Sequence, residues 1–522
     1  MAVSAGRSVD VAGRTTGPPR SVTSRNYGSL ARVATPPAVD AVVVGAGPNG
    51  LTAAVTLAQA GLGVRVYEAA QSIGGGARTG ELTLPGFRHD LCSAVHPLGA
   101  GSPALRAMPL EQHGLSWIHP PIALAHPFDD LPAATLVQSL DETAASLGID
   151  ATRYRLLVKP FLGHWDALAR DSLRPIAATL PHHPVLLARY GMRGLLPASV
   201  LARAMRGDVA PAFLAGLAAH AIAPLTSPAT GGVAMLFAIA GHEVGWPVPR
   251  GGSQGITDAL ASYLRSLGGE IVTGNPVGSL RELPVASAYM LDLVPWHVAG
   301  LANGRLPAGY VRRLEKWPHG PGVFKLDYAL DGPIPWRDDR CRHAGTVHIG
   351  GSYTEIASAL RSATHGEAPD VPFLITAQPS LVDDTRAPAG KHTLWAYAHV
   401  PNGWTGDFTD AIERQIERFA PGFRDLVLAR AASGPAELES RNRNNVGGDI
   451  AGGEFSGHRA FFRPLLAAVP YATPDPAIYL CSSSTPPGPG VHGMCGYHAA
   501  RVALRRVFGK KSWTGSRHRT TG

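Results

Sequence analysis

The sequence predicts an α/β fold in which a Rossmann-type dinucleotide-binding domain, built from discontinuous segments, is joined to an α+β domain of mixed sheet and apolar helices. Two observations predict it. Glycine-rich turns at residues 45–50 and 488–493 each follow a short apolar strand and precede a helix, one near each end of the chain. Between them, residues 323–330, 373–376 and 393–399 alternate as the strands of a second sheet do.

The composition is that of a chain that buries a large core. Hydrophobic residues make up 45% of the 522 residues and charged residues 16%, against about 25% in typical domains. The four cysteines are too few to stabilise a chain of this length by disulfide bonds, and no two of them form a Cys-x-x-Cys pair. They favour a reducing compartment and predict no metal site.

The net charge of +8 lies at the two ends of the chain. Residues 1–37 hold five arginines and one aspartate, and residues 509–522 hold four lysines and arginines, so the body between them is formally neutral. A nucleic-acid-binding protein carries its basic stripe on the folded domain, which excludes nucleic acid as a partner. Both ends are expected to be disordered tails. The first has no signal-peptide core, so we expect a cytoplasmic protein, with an organelle matrix as the alternative.

No stretch of the sequence predicts a membrane span. Residues 41–64 are uncharged but are interrupted by glycines, and residues 210–241 are broken by prolines into two short apolar helices. Such helices form core, line an apolar pocket or touch a membrane surface, so peripheral membrane contact stays open.

The first glycine-rich turn carries the fingerprint of dinucleotide binding. Gly45 permits the tight turn, Gly47 lets the backbone approach a pyrophosphate, and Gly50 lets helix and strand pack closely. The N–H groups and dipole of the following helix attract the phosphate. Glu68, 18 residues after Gly50, is placed to accept hydrogen bonds from a ribose diol. The predicted phosphate-binding residues of this turn are Gly45, Gly47, Pro48, Asn49 and Gly50.

The segment after the second predicted strand indicates whether the bound dinucleotide is FAD or NAD. Residues 72–79 combine a glycine cluster with an arginine, which can neutralise a pyrophosphate from its other side. Here the sequence resembles the large FAD-dependent oxidoreductase superfamily, in which a GG…RT motif follows the acid. The resemblance implies FAD as the cofactor. It also implies that Gly75 and Arg78 approach the FAD phosphates. The residues of this segment predicted to bind the cofactor are Gly75, Gly76, Arg78 and Thr79.

The C-terminal turn supplies the second half of the predicted site. Residues 477–481 are expected to form a strand and residues 493–507 a helix. A helix N-terminus aimed at the flavin pyrimidine edge would stabilise the negative charge of reduced flavin. A second, separate nucleotide site is the alternative interpretation. The residues of this turn predicted to bind the cofactor are Gly488, Gly490, Val491, Gly493 and Met494.

The whole arrangement resembles phytoene-dehydrogenase-like proteins over about residues 38–508, most closely pyridine nucleotide-disulphide oxidoreductase domain-containing protein 2 and its bacterial relatives. In that superfamily a helix–strand unit rejoins the FAD domain, and its backbone, at Val277 here, meets the adenine. Between Val277 and Tyr289 the chain has no room for the hairpin that many relatives insert. No Cys-x4-Cys follows the first turn, which argues against disulphide reduction.

The domain organisation follows from these motifs. We expect three segments, residues 38–110, 247–300 and 441–508, to form the FAD-binding domain. Residues 111–246 and 301–440 are expected to form the substrate domain, with a pocket over the flavin for a small apolar, isoprenoid or lipid-like molecule.

The first functional hypothesis is an FAD-dependent oxidoreductase that dehydrogenates or saturates a C–C bond of that molecule by hydride transfer at flavin N5. Oxygen, a quinone or a nicotinamide could exchange electrons with the flavin, and the sequence does not choose between them. A flavin amine oxidase is one alternative, which an aromatic pair facing the flavin would favour. A non-catalytic lipid- or prenyl-binding protein is another, and oligomerisation stays open.

Four side chains are candidate catalytic bases, although flavin chemistry needs little from the protein. Each also has an ordinary structural interpretation as a hydrogen-bonded or solvent-facing group. Cys495 could carry flavin covalently or be a small buried residue. The four candidates are Lys325, His348, His399 and His96.

Overall fold

The computed structural model describes residues 39–175, 180–302 and 304–510. The strands in these ranges, β1 to β16, are Ala41–Val44, Val64–Tyr67, Thr79–Glu81, Arg88–Asp90, Trp117–Ile118, Ile122–His126, Ala134–Leu136, Val248–Pro249, Glu270–Val272, Ala288–Leu291, Gly322–Leu330, Ala344–Ile349, Leu374–Ala377, His392–Val400, Val427–Ser433 and Ile478–Leu480. The helices, α1 to α18, are Pro48–Gln59, Pro97–Ala100, Pro103–Arg106, Leu140–Ser146, Ala151–Val158, Trp165–Ser172, Pro184–Gly194, Ala198–Arg203, Val209–Ala218, Thr230–Glu243, Gln254–Ser266, Pro295–Leu301, Ala308–Glu315, Asp339–Arg342, Tyr353–Thr364, Thr409–Phe419, Pro435–Arg441 and Met494–Arg506.

The first sheet is parallel and has the strand order β16–β10–β1–β2–β9. Its central strand, β1, is fully buried, as expected of a β-branched run covered on both faces. Helices α1, α11 and α18 pack on one face of the sheet. Since all strands are parallel, the loops after β1, β2, β10 and β16 meet at one edge, which is where such sheets bind ligands.

The second sheet is mixed and has the order β15–β11–β14–β13–β12–β6–β7. Strands β11 and β14 pair along their full length, and β12 and β6 are the parallel neighbours. Apolar helices α9 and α10 cover one face, and α16 covers the other. Strands β11, β13 and β14 were expected from the sequence, as was the apolar strand that holds His348, β12, whereas β6, β7 and β15 were not.

The predicted α/β fold class is confirmed. The strands of the first sheet lie in residues 41–67, 270–291 and 478–480, far apart in sequence. The boundaries of the proposed domains stay a prediction. Residues 1–37 and 511–522, which hold most of the predicted tails, lie outside the described residues. Among the helices of the described ranges, none is long and apolar enough to cross a bilayer.

Candidate functional site

A cavity of about 910 Å³ runs from the carboxyl edge of the first sheet to the α9/α10 face of the second. At one end it is lined by the turn after β1 and by Glu68, and at the other by Trp395 and Tyr397 of β14. Both predicted glycine turns contribute to it, through Gly47 and Gly490. The two ends of the described chain therefore share one groove, as a single extended cofactor requires.

The predicted phosphate end is a cradle of bare backbone. Gly45 has a φ of +101°, and its N–H donates to the carbonyl of Tyr67 at 2.8 Å. A Cβ on Gly47 would lie 2.8 Å from Oδ2 of Asp292, and one on Gly75 would lie 3.1 Å from Cα of Gly47. Side chains here would fill the space above the first turn of α1, so the glycines keep its N–H groups accessible to an anion.

The Glu68 carboxylate lies beside this cradle and is held by backbone hydrogen bonds. Its Oε2 accepts the N–H of Ala46 at 2.8 Å, and its Oε1 accepts the N–H of Ala70 at 2.9 Å. Its carbonyl accepts the N–H of Asn275 at 2.9 Å, which brings the Val277 segment into the same cavity wall. The two backbone donors fix the carboxylate, whose remaining lone pairs are available to hydroxyl donors.

Substitution of Glu68 by alanine should weaken FAD retention by about 1–3 kcal/mol, roughly ten- to hundredfold in Kd. The reason is the loss of the charged acceptor that the sequence predicts for the ribose diol. Equilibrium dialysis of apo-protein against FAD measures this loss, and Glu111→Ala, at an exposed position, is the control. An unchanged Kd would show that the ribose lies elsewhere.

Arg78 also lines the cavity at this end. Its Nε donates to the carbonyl of Gly75 at 3.0 Å, and its Nη2 donates to the carbonyl of Arg441. Burial lowers the pKa of the Arg78 guanidinium, yet the group keeps its charge at neutral pH. Gly76 lies beside it in the lining. The side chain is thus a fixed cation opposite the start of α1.

Several residues predicted to bind the cofactor do not line the cavity and instead support the elements that form it. Gly493, with a φ of +68°, precedes α18 and leaves no room for a side chain against Thr52 of α1. Thr79 is held by Asp90, to which its Oγ1 donates at 2.7 Å. Met494 packs in the core beneath the second sheet. The predicted residues that line the cavity are Gly45, Gly47, Pro48, Asn49, Glu68, Gly75, Gly76, Arg78, Val277, Gly490 and Val491, whereas Gly50, Thr79, Gly488, Gly493 and Met494 lie outside the lining.

Of the four candidate bases, His96 reaches the cavity. Its Nε2 lies 2.7 Å from Oγ of Ser253, and that hydroxyl donates to the carbonyl of Ser93 at 2.7 Å. Nε2 must therefore carry the imidazole proton, which leaves Nδ1 as the acceptor. Burial lowers the pKa of His96 to about 4, so the ring is neutral at pH 7.

The other candidates lie outside the lining. Lys325 is 1% exposed and ion-pairs with Asp327, with Nζ 5.7 Å from the centroid of the Trp395 ring. His348 and His399 are buried in β12 and β14. The thiol of Cys495 donates to the carbonyls of Thr485 and Gly488, both at 3.4 Å, and is also outside the lining.

Asp292 is a site residue that the sequence analysis missed. It follows β10 at the carboxyl edge of the sheet, lines the cavity, and accepts the N–H of Gly50 at 2.9 Å. Burial raises the pKa of its carboxyl group to about 7, the Gly50 hydrogen bond lowers it, and the negative charge of Glu68 raises it further. An acid directly after a strand that neighbours β1 is the signal that could have found it.

The raised pKa predicts how stability varies with pH. Asp292 ionises near 3.8 in the unfolded chain and near 7 in the folded protein, so the folded state binds more protons between those values. The contribution of Asp292 to the stability of the apo-protein should therefore fall as pH rises from about 4 through 7. Asp292→Asn, which keeps an acceptor for Gly50, should remove about 1–3 kcal/mol of that fall. Urea unfolding at pH 5 and pH 8 measures the difference, and parallel profiles for the two proteins would contradict it.

Comparison with known proteins agrees with this geometry. Residues 43–108 match the NAD(P)-binding Rossmann-like domain. The chain is 27% identical to mouse pyridine nucleotide-disulfide oxidoreductase domain-containing protein 2 over 90% of this chain and 94% of that protein. It is 26% identical to the phytoene dehydrogenase of Streptomyces griseus over 78% of this chain and 80% of that enzyme.

Solved structures share the fold. An oxidoreductase from Methanosarcina mazei superposes with a TM-score of 0.58 at 17% identity, over 89% of this chain and 99% of that one. Putrescine oxidase bound to putrescine superposes with a TM-score of 0.57 at 17% identity, over 90% and 99%. The resemblance to phytoene-dehydrogenase-like proteins is confirmed, and by homology the chain is an oxidoreductase.

Proposed function

We propose that this chain, an oxidoreductase by homology, binds FAD and exchanges hydride between flavin N5 and a C–C bond of an apolar substrate. One observation carries the proposal: a single cavity joins a glycine cradle that suits a diphosphate to a wall of apolar side chains. That wall includes Val233, Leu236 and Phe237 of α10, Trp246 and Ile375.

The residues present fit FAD. The bare backbone at Gly47 and Gly75 leaves room for a diphosphate, with Arg78 as its counter-charge. Glu68 would hold the adenosine ribose, and the turn before α18 would lie at the flavin end. When bound, the flavin supplies the hydride acceptor or donor, which is the difficult part of the chemistry.

The chain itself would exclude water and orient the substrate. The apolar side chains of α10 and β13 bury a hydrocarbon surface and limit the access of water to the reacting C–H bond. His96, neutral and fixed by Ser253, can hold or accept a proton at Nδ1. Among the four candidate bases it is therefore the one we propose acts in the site.

The amine oxidase alternative is disfavoured by the aromatic side chains. Trp395 and Tyr397 both line the cavity, but their ring centroids are 5.0 Å apart and the rings meet edge to face at 78°. A substrate nitrogen between two rings needs about 3.5–4 Å on each side, roughly 7 Å in all. The two rings pack against each other and leave no space between them for a substrate nitrogen.

Flavin content and reduction test the proposal. The purified protein should be yellow, and anaerobic addition of the true substrate should bleach the flavin absorbance. Re-oxidation by oxygen, by a soluble quinone or by a nicotinamide would then identify the acceptor. A colourless protein that takes up no FAD would instead support the lipid-binding alternative.

We further propose that the exposed apolar side chains around α7 contact an anionic membrane, from which an apolar substrate could be drawn. Leu180, Val185 and Met192 are 90%, 77% and 69% exposed, and Arg189 is exposed among them. Apolar side chains flanked by arginines suit the lipid interface.

Co-sedimentation with vesicles tests the membrane contact. Vesicles of equal parts phosphatidylcholine and phosphatidylglycerol should bind the protein, and Met192→Glu should reduce the bound fraction several-fold. Leu428→Glu, at an exposed position on β15, is the control. Equal binding of the two variants would contradict the contact.

A further inference from the structure

The apolar half of the cavity ends at three histidines that pack together, His220, His348 and His126, which we call the histidine cluster. His220 lies in the turn after α9 and lines the cavity. Its Nε2 is 3.1 Å from Nε2 of His348, on β12. His348 and His126 are fully buried. A polar group this deep in an apolar wall needs an explanation.

The proton positions in the cluster follow from its hydrogen bonds. Nε2 of His126 lies 2.8 Å from the carbonyl of Gly351, and a carbonyl can only accept, so Nε2 donates and Nδ1 bears a lone pair. Nδ1 of His126 and Nδ1 of His348 are both buried with no partner among the described residues. Both face Gly216 of α9, where a Cβ would lie 3.4 Å and 2.8 Å from them.

The same logic orients His220. A buried N–H without a partner is rarer than an unpartnered acceptor, so Nδ1 of His348 is the lone-pair nitrogen and its Nε2 carries the proton. That proton is donated to Nε2 of His220, which must then be an acceptor. The proton of the His220 ring is consequently on Nδ1, the nitrogen left to the cavity.

The donor is neutral and rigidly held. The His220 ring stacks on Phe237 with centroids 4.5 Å apart and meets the edge of Trp246 at 5.6 Å. Burial, with a smaller contribution from His399, lowers the pKa of His220 to about 3. His220 thus offers an uncharged N–H among aromatic rings. A carboxylate buried here would lack a counter-charge, whereas a neutral oxygen would not need one.

We propose that His220 is a specificity-determining residue whose Nδ1–H binds a neutral oxygen of the substrate, a carbonyl or hydroxyl. The substrate is therefore an oxygenated apolar molecule and not a plain hydrocarbon. This inference rests on the proposed function in one respect: it places the substrate in the cavity that also holds the cofactor. The histidine cluster determines which nitrogen of His220 carries the proton.

Binding of matched probes tests the inference without turnover. Limonene and carvone share a carbon skeleton, and carvone has a ketone in place of one ring methylene group. In perillate a carboxylate replaces the ring methyl group of limonene. Each is titrated into the purified full-length protein, and the quenching of tryptophan fluorescence is followed, because Trp246 and Trp395 line the cavity. Carvone should bind roughly three- to tenfold more tightly than limonene or perillate, the value of one neutral hydrogen bond.

Variants separate recognition from packing. His220→Phe keeps the stack on Phe237 but has no donor, and should abolish the preference for carvone while limonene affinity stays within about twofold. His220→Asn restores a donor and should recover part of the preference. His242→Phe replaces a buried histidine of α10 that bonds Tyr154 and lies outside the lining, and should leave the preference intact.

The outcomes are distinct. Equal binding of limonene and carvone by the wild-type protein, a preference that survives in His220→Phe, or tightest binding of perillate would each overturn the role of His220. If His220→Phe fails to fold, the wild-type and His220→Asn titrations still decide the question. A protein that shows the carvone preference but takes up no FAD would refute the proposed function alone.

Discussion

Gly50→Ala is expected to yield a protein without bound flavin, whose free energy of unfolding is lower by about 3 kcal/mol or more. Gly50 lies in the first turn of α1, where alanine is normally favoured over glycine. A Cβ at this position would overlap the carbonyl oxygen of Gly45 and lie 3.1 Å from Oδ2 of Asp292. The obstructing atom belongs to the backbone, so relief requires α1 to move away from β1, and that movement destroys the phosphate cradle. Flavin content and urea unfolding measure the two effects.

Two further glycine substitutions sharpen this test. Gly191→Ala places a methyl group in α7 with nothing within 4 Å, and should be neutral or stabilising by up to about 1 kcal/mol with full flavin content. Gly47→Ala meets the Asp292 side chain, which can shift, so it should lose flavin with a smaller loss of stability. A Gly50→Ala protein that retains flavin and unfolds like the Gly191→Ala protein would refute the close packing of α1 on its turn.

The glycine turn and the acid that are predicted to bind a dinucleotide could be located from the sequence because their signals are local. The strand, the turn and the helix that place Gly45 and Gly47 are contiguous, and each residue type there is required by its own backbone. Glu68 follows from its distance to the turn. The same holds at the C-terminal turn, where Gly493 takes a positive φ directly before α18.

The remainder depends on contacts that no local pattern encodes. Asp292 becomes a site residue because β10 pairs with β1, some 240 residues away, and His220 because α9 covers β12. Strand β6 is buried along almost its whole length and therefore lacks alternation, which is why it was missed. Lys325 illustrates the converse. Its strand was predicted, but only the structure shows that its ammonium group forms a buried ion pair with Asp327.

Arg386→Met is expected to cost about 3–5 kcal/mol of stability, because it leaves a carboxylate buried without its counter-charge. Arg386 and Asp90 are both 0% exposed, and Nη2 of the arginine donates to Oδ2 of the aspartate at 2.7 Å. Asp90 also accepts the N–H of Ser253 at 2.8 Å and the hydroxyl of Thr79 at 2.7 Å. Arg250→Met, which removes an exposed pair with Asp384, should cost less than about 1 kcal/mol.

The pH dependence of this loss distinguishes an unpaired charge from a simple cavity. Burial alone would raise the pKa of Asp90, but the Arg386 charge and the hydrogen bonds from Ser253, Arg386 and Thr79 hold it below its ordinary value. In the wild-type protein the pair therefore stabilises the fold at neutral pH and loses this effect in acid. Without Arg386, burial dominates, the pKa of Asp90 rises, and the contribution of Asp90 to stability instead falls as pH increases. The gap between the two proteins should widen from pH 5 to pH 8, and Asp90→Asn in the Arg386→Met background should close most of it. A pH-independent gap that Asp90→Asn leaves untouched would mean that Arg386 contributes packing and not charge.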